Sequence, residues 1–197
     1  MAATYDLILT GGTVVNHDGR GVRDIGVSGG RIAAIGDLGR ASAGETIDCA
    51  GLHVLPGVID SQVHFREPGL GDKEDLETCS RAAVLGGVTA VFEMPNTRPL
   101  TTGEAALADK VARATDRMHC DFAFWVGGTR DNAGDVGELE RLPGAAGIKV
   151  FMGSSTGDLL VEDDEGVASI LRNTRRRAAF HSEDEFRLRE RLGERVE

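Results

Sequence analysis

The sequence predicts an α/β protein in which a parallel sheet of about five βα units follows a small β-rich module. Three observations carry this. Short alternating runs broken by glycine fill residues 1–55, and apolar runs of strand length alternate with helical patterns over 56–197. Polar side chains gather where those later runs end, as they do at the carboxyl ends of parallel strands in functional α/β proteins.

In the first module, residues 5–9, 13–15, 24–27, 31–35, 46–48 and 53–55 read as strands. Tight turns are expected at Gly11-Gly12, Gly29-Gly30 and Gly36-Asp37. The 27 glycines are about twice the usual share, which fits a chain rich in turns.

After Pro56 the strands are 57–65, 88–94, 121–126, 147–151 and 178–181. Between them, 74–85 places Leu76, Cys79 and Ala83 on one helical face. Thr101-Thr102-Gly103-Glu104 has capping-box form ahead of a helix over 105–114. Further helices are expected at 161–175 and 183–195. Parallel strands joined by helices either close as an eight-stranded barrel or stay open as a doubly wound sheet, and periodicity does not choose between them. Residues 183–197 end in charge with no further strand, so a barrel would lack about three of its eight units.

The apolar fraction of 41% and charged fraction of 27% are those of an ordinary globular chain. A formal charge of −10 repels nucleic acid and anionic lipid, so a small-molecule partner is expected. The one basic cluster, Arg175, Arg176 and Arg177, reads as a solvated helix end. Cys49, Cys79 and Cys120 are odd in number and far apart, which argues against a disulfide framework and for a reducing cytoplasm. The sequence contains neither a signal-peptide pattern nor an apolar run of about 18 residues.

The first strand after Pro56 ends in Asp60-Ser61-Gln62-Val63-His64-Phe65-Arg66-Glu67-Pro68-Gly69, and alternation puts Asp60, Gln62 and His64 on one face. The second ends in Met94-Pro95-Asn96-Thr97, the fourth carries Lys149-Val150-Phe151-Met152, and the fifth ends at His181. A lysine inside Ile-Lys-Val-Phe is unexpected, because burying an unpaired ammonium costs several kcal/mol. The loop over 153–157 lacks the Gly-Lys-Ser/Thr ending of a P-loop, so it is not read as a phosphate cradle.

Together these motifs, with Gly86-Gly87-Val88-Thr89, resemble dihydroorotases of the amidohydrolase superfamily. The resemblance implies an incomplete TIM-type (β/α) barrel preceded by part of a β-sandwich, whose unpaired strands would expose apolar faces and edges. It implies one or two zinc ions, with His64 and His181 as ligands and Lys149 carbamylated as a bridging one. Arg66 and Asn96 would hold a substrate carboxylate, a task suited to the guanidinium fork. The implied reaction interconverts N-carbamoyl-aspartate and dihydroorotate in pyrimidine synthesis, in a homo-oligomer or beside aspartate transcarbamoylase.

Two departures from the family pattern stand out. Gln62 replaces the first histidine of Asp-x-His-x-His, and an amide oxygen is a weaker zinc ligand than imidazole. The family's catalytic aspartate comes from a strand beyond residue 197, so no residue is assigned that role. The alternatives are a non-catalytic dihydroorotase-like subunit and a hydrolase of hydantoin or allantoin, rings that hydantoinases and allantoinases open on the same scaffold.

Overall fold

A computed structural model describes residues 3–153 and 159–194. The chain divides into two compact units, Met1–Gly57 and Val58–Glu197.

In the first unit, β1 (Thr4–Asn16), β2 (Gly19–Ser28) and β3 (Arg31–Gly36) form an antiparallel meander. The strands β4 (Ser42–Asp48) and β5 (His53–Val54) both pair with β1 in parallel. The expected pair of strands at 5–9 and 13–15 is one long strand. Gly11-Gly12 makes no turn; the β1–β2 register shifts between Leu9 and Gly12. Gly11 has φ of +67°, and its N–H bonds Asp24 Oδ1 at 2.9 Å, so the extra residue is absorbed as a bulge. Ile8, Val14 and Ile25 are buried, whereas Val22, Ile32, Ile47 and Leu55 are exposed. This unit therefore leaves much apolar surface uncovered.

The second unit is a parallel sheet in the order β10-β9-β8-β7-β6. Its strands are β6 (Val58–Val63), β7 (Val88–Glu93), β8 (Asp121–Gly127), β9 (Ala145–Phe151) and β10 (Ala178–His181). The connecting helices are α1 (Leu76–Leu85), α2 (Glu104–Ala114), α3 (Val136–Leu139) and α4 (Asp164–Asn173), with α5 (Glu185–Glu190) after β10.

Side-chain packing resolves the choice that periodicity left open. Leu76, Leu107, Val136 and Ile170, from α1 to α4, share one core with Val91, Phe124, Val126, Ile148 and Val150 of the strands. The opposite face gathers Phe92, Ala123, Trp125, Ala146 and Ala179 with Met94, and among the described residues no helix contributes to that cluster. A doubly wound sheet carries helices on both faces and reverses its strand order. This sheet has its α1–α4 core on one face and its strands in sequential order, the arrangement of a (β/α) barrel.

Two local expectations are corrected. The capping box over 101–104 does not form: the N-cap of α2 is Gly103 without a side-chain bond, and Thr101 is buried against the Thr97 hydroxyl. A capping box does form at α1, where Asp75 Oδ1 accepts from Thr78 N at 2.8 Å. The short helix α3 follows the stretch Gly127-Gly128-Thr129, and at four residues it offers no apolar period to read. The last residues of the expected 183–195 helix form a 3₁₀ turn, Arg191–Glu194, and Arg195 lies outside the described residues.

Arg175 and Arg176 are exposed as expected, while their backbone N–H groups bind the buried Glu140 carboxylate. All three cysteines are free. Among the described residues no helix is long and apolar enough to cross a membrane.

Candidate functional site

Alternation along the strands decides which side chains meet. Val63 and Phe65 join the helix-side core, so His64 faces the other way. The β6–β7 register shifts between Asp60, paired with Val91 of that core, and Val63, which interrupts the alternation expected to put Asp60, Gln62 and His64 on one face. Ile148 and Val150 join the same core on β9, turning Lys149 away from the helices, and Phe180 on β10 turns His181 likewise. His64, Lys149 and His181 thus share the helix-free face at the carboxyl end of the sheet.

Their separation is small enough to matter electrostatically. The His64 imidazole is held below its ordinary pKa first by burial, with the positive charges of Arg66, Lys149 and His181 adding to the effect. His64 Nδ1 lies 2.9 Å from Asn96 Oδ1. An amide oxygen only accepts, so Nδ1 carries the proton and Nε2 presents a bare lone pair.

Lys149 is 2% exposed. Its Nζ lies 5.1 Å from the Phe151 ring centroid, and among the described residues it has no hydrogen bond or ion pair. Burial pushes the amine's pKa down. Phe151 in turn stacks on His181, with centroids 5.8 Å apart. His181 Nε2 is 3.3 Å from Glu183 Oε2, and the His181 carbonyl accepts from Met152 N and Glu183 N.

Arg66 stands at φ +67°, a left-handed conformation that costs a non-glycine residue and is common at ligand sites. Among the described residues its guanidinium forms no ion pair. Gln62 is exposed, and Asp60 Oδ1 is turned back onto the Gln62 backbone N–H at 3.0 Å. Residues 154–157 of the fourth strand-end loop lie outside the described residues.

The two sequence motifs are physically joined. Arg98 N donates to Pro68 O at 3.0 Å, and Met94 N to Val63 O at 3.0 Å. Gly69 has φ of +84°, and a Cβ there would collide with the Arg98 carbonyl, so the glycine ending the Arg-Glu-Pro-Gly turn admits the Met-Pro-Asn-Thr loop. Glu67 braces the same turn: Arg117 grips it with both Nη atoms at 2.9 and 3.1 Å, and it accepts from Leu76 N. Sequence reasoning missed Glu93 and Lys110, an ion pair buried beneath this region. The glutamate inside Val-Phe-Glu-Met was the available signal.

As a metal-binding set these donors fit only in part. Among the described residues no three His, Cys, Asp or Glu side chains are placed to grip one ion. Two imidazoles and one amine share the face, and carbamylation of that amine would supply the missing anionic oxygen. Buried, with its pKa pushed down and no ion pair among the described residues, Lys149 has the chemistry to accept it.

Residues 51–123 match the family model described as dihydro-orotase-like. The chain is 43% identical to an allantoinase of Rubrobacter xylanophilus over 166 residues, covering 82% of the chain and 36% of that relative. With an Escherichia coli allantoinase it shares 39% over 163 residues, covering 82% and 35%. The fold is similar to the L-hydantoinase (dihydropyrimidinase) of Arthrobacter aurescens, with TM-score 0.87 and 30% identity over 96% of this chain and 43% of that one. A D-hydantoinase (dihydropyrimidinase) from Thermus sp. gives TM-score 0.76 and 28% identity over 95% and 43%. The chain spans about a third of the length of the curated relatives it matches.

Proposed function

We propose, from the premise that this chain is related in sequence and fold to the cyclic amidohydrolases of the amidohydrolase superfamily, that it forms part of a metal-dependent hydrolase opening a cyclic amide. The observation that carries the reading is Lys149, buried with no acid partner among the described residues, on the face shared by His64 and His181. The neutral amine adds to carbon dioxide, forming an N–C bond and releasing a proton. The product is an anionic ligand on a rigid strand.

His64 through Nε2, His181 and carbamylated Lys149 would hold the metal, with Gln62 too weak a donor to complete a second zinc position. When bound, a divalent metal supplies Lewis acidity toward the amide carbonyl and makes water nucleophilic at neutral pH. Asn96 fixes the His64 tautomer, the usual task of a hydrogen-bonded partner behind a metal ligand. Arg66 offers a guanidinium to an acidic substituent. Hydrolysis adds a water oxygen to the carbonyl carbon, breaks the ring C–N bond and returns the proton to nitrogen.

The relatives' names support a hydantoin- or allantoin-type ring ahead of dihydroorotate. The dihydroorotase reading rests on Arg66 beside His64 and on the dihydro-orotase-like match. Steady-state ring opening of hydantoin, allantoin and dihydroorotate separates them, measured on the protein carrying this chain with zinc and bicarbonate supplied. Arg66→Ala should abolish turnover of the carboxylate-bearing ring and spare the others. Absence of ring opening on all three substrates would defeat the proposal.

A further inference from the structure

The Glu93 and Lys110 side chains are each 1% exposed. Lys110, in the middle of α2, donates through Nζ to Glu93 Oε2 and to the Met94 carbonyl at 2.9 Å. The Met94 amide in turn donates to the Val63 carbonyl at 3.0 Å. The surroundings of the pair are apolar: Leu76 and Leu107 are buried in the same helix-side core, and Lys110 Nζ lies 5.3 Å from the Phe124 ring centroid.

Desolvating two charges costs several kcal/mol per ion, and a well-packed apolar pair of similar volume usually stabilises as much or more. Stability alone therefore does not account for the pair. What apolar side chains cannot do is direct a hydrogen bond, and this pair directs one, from Lys110 to the Met94 carbonyl, just where the sheet stops. β6 ends at Val63 and β7 at Glu93. Beyond these points the ladder no longer sets the chain's position, yet Met94 bonds Val63, which His64 follows directly, and lies two residues before Asn96.

We propose that the buried Glu93–Lys110 pair is a positioning element that clamps the ends of β6 and β7 and thereby holds His64 against Asn96. Its purpose rests on the reading of His64 as a metal ligand, whereas its mechanical role does not. Lys110 pulls the Met94 carbonyl toward α2, and the Met94 amide holds the Val63 carbonyl, so both strand ends are tied to one point. With both ends anchored, the imidazole and the carboxamide on the opposite side keep one geometry and His64 keeps one tautomer.

The test is the double substitution E93Q/K110M in the full chain, which keeps the volume and removes both charges. Its folding is checked by circular dichroism and its His64 ring is read from two-bond ¹H–¹⁵N spectra. Exchange between tautomers is expected in place of a single Nδ1–H form, with cobalt(II) affinity lowered about 10- to 100-fold. A folded double variant with the single tautomer and unchanged cobalt affinity would overturn the proposal. Should the variant not fold, amide exchange in the unaltered protein decides. Met94, beyond the end of β7, must be protected like a ladder amide, and exchange at the rate of an exposed loop refutes the clamp. Unaltered protein with one His64 tautomer but no cobalt binding would sink the ligand reading and leave the clamp standing.

Discussion

Asn96 Oδ1 accepts the Nδ1 proton of His64 at 2.9 Å, joining the residue that follows β6 to the loop that follows β7. This contact commits the Asn96 oxygen to the imidazole and leaves its Nδ2 for a ligand. Asn96→Ala should therefore weaken divalent metal binding about 10- to 100-fold, the usual effect of removing such a partner. Cobalt(II) titration followed by absorption measures it; unchanged affinity would remove Asn96 from the site.

Lys149→Met replaces a buried amine, without an ion pair among the described residues, with an apolar chain of similar length. The metal-free protein should gain stability, by about 1–4 kcal/mol if the lysine carries its charge there. The variant should also lose the ¹³C carbamate resonance that bicarbonate labelling gives the unaltered protein. Thermal melts and ¹³C spectra report the two effects independently.

Gln62→His restores the imidazole that the first motif lacks. The zinc content after saturation and gel filtration should rise toward a second equivalent, read by elemental analysis. A stoichiometry identical to that of the unaltered chain would mean that Gln62 does not occupy a ligand position.

Glu67 is held below the usual carboxylate range chiefly by its hydrogen-bonded pair with Arg117, helped by the Leu76 amide and Arg113. A carboxyl whose folded pKa is depressed stabilises the fold above its unfolded pKa, and that stability is lost as pH falls through the folded value. Glu67→Gln should cost about 1–2 kcal/mol at pH 7. In urea melts across pH, the two proteins should converge below the carboxylate range. A constant difference at all pH values would contradict the assignment.

Gly69→Ala places a methyl group against the Arg98 carbonyl at a left-handed backbone position. A loss of about 2 kcal/mol or more is expected, since both a clash and an unfavourable φ are introduced. Urea unfolding measures it. A neutral result would show that the two strand-end loops can separate without penalty.

Much of the second unit was legible because its signals are local. Apolar runs of strand length and the helical face of Leu76, Cys79 and Ala83 report burial on a fixed period, and the structure has them as β6 to β10 and α1. The turn expected at Gly11-Gly12 failed because a glycine pair serves a bulge as readily as a hairpin. The choice was made by Asp24, thirteen residues away. The same holds for Thr101, whose hydroxyl went to Thr97 and left the helix without a side-chain cap.

By itself the sequence determined which residue types stand at the strand ends and that β-strands and helices alternate after Pro56. Both follow from the period of two or 3.6 residues that the backbone imposes on its neighbours. Tertiary structure alone decided that the α1–α4 core forms on one face, that His64, Lys149 and His181 share the other, and that Glu93 meets Lys110 beneath the motif. These are contacts between residues distant in the chain. No local period encodes them, and they arise only when parallel strands align in register and bring their ends together.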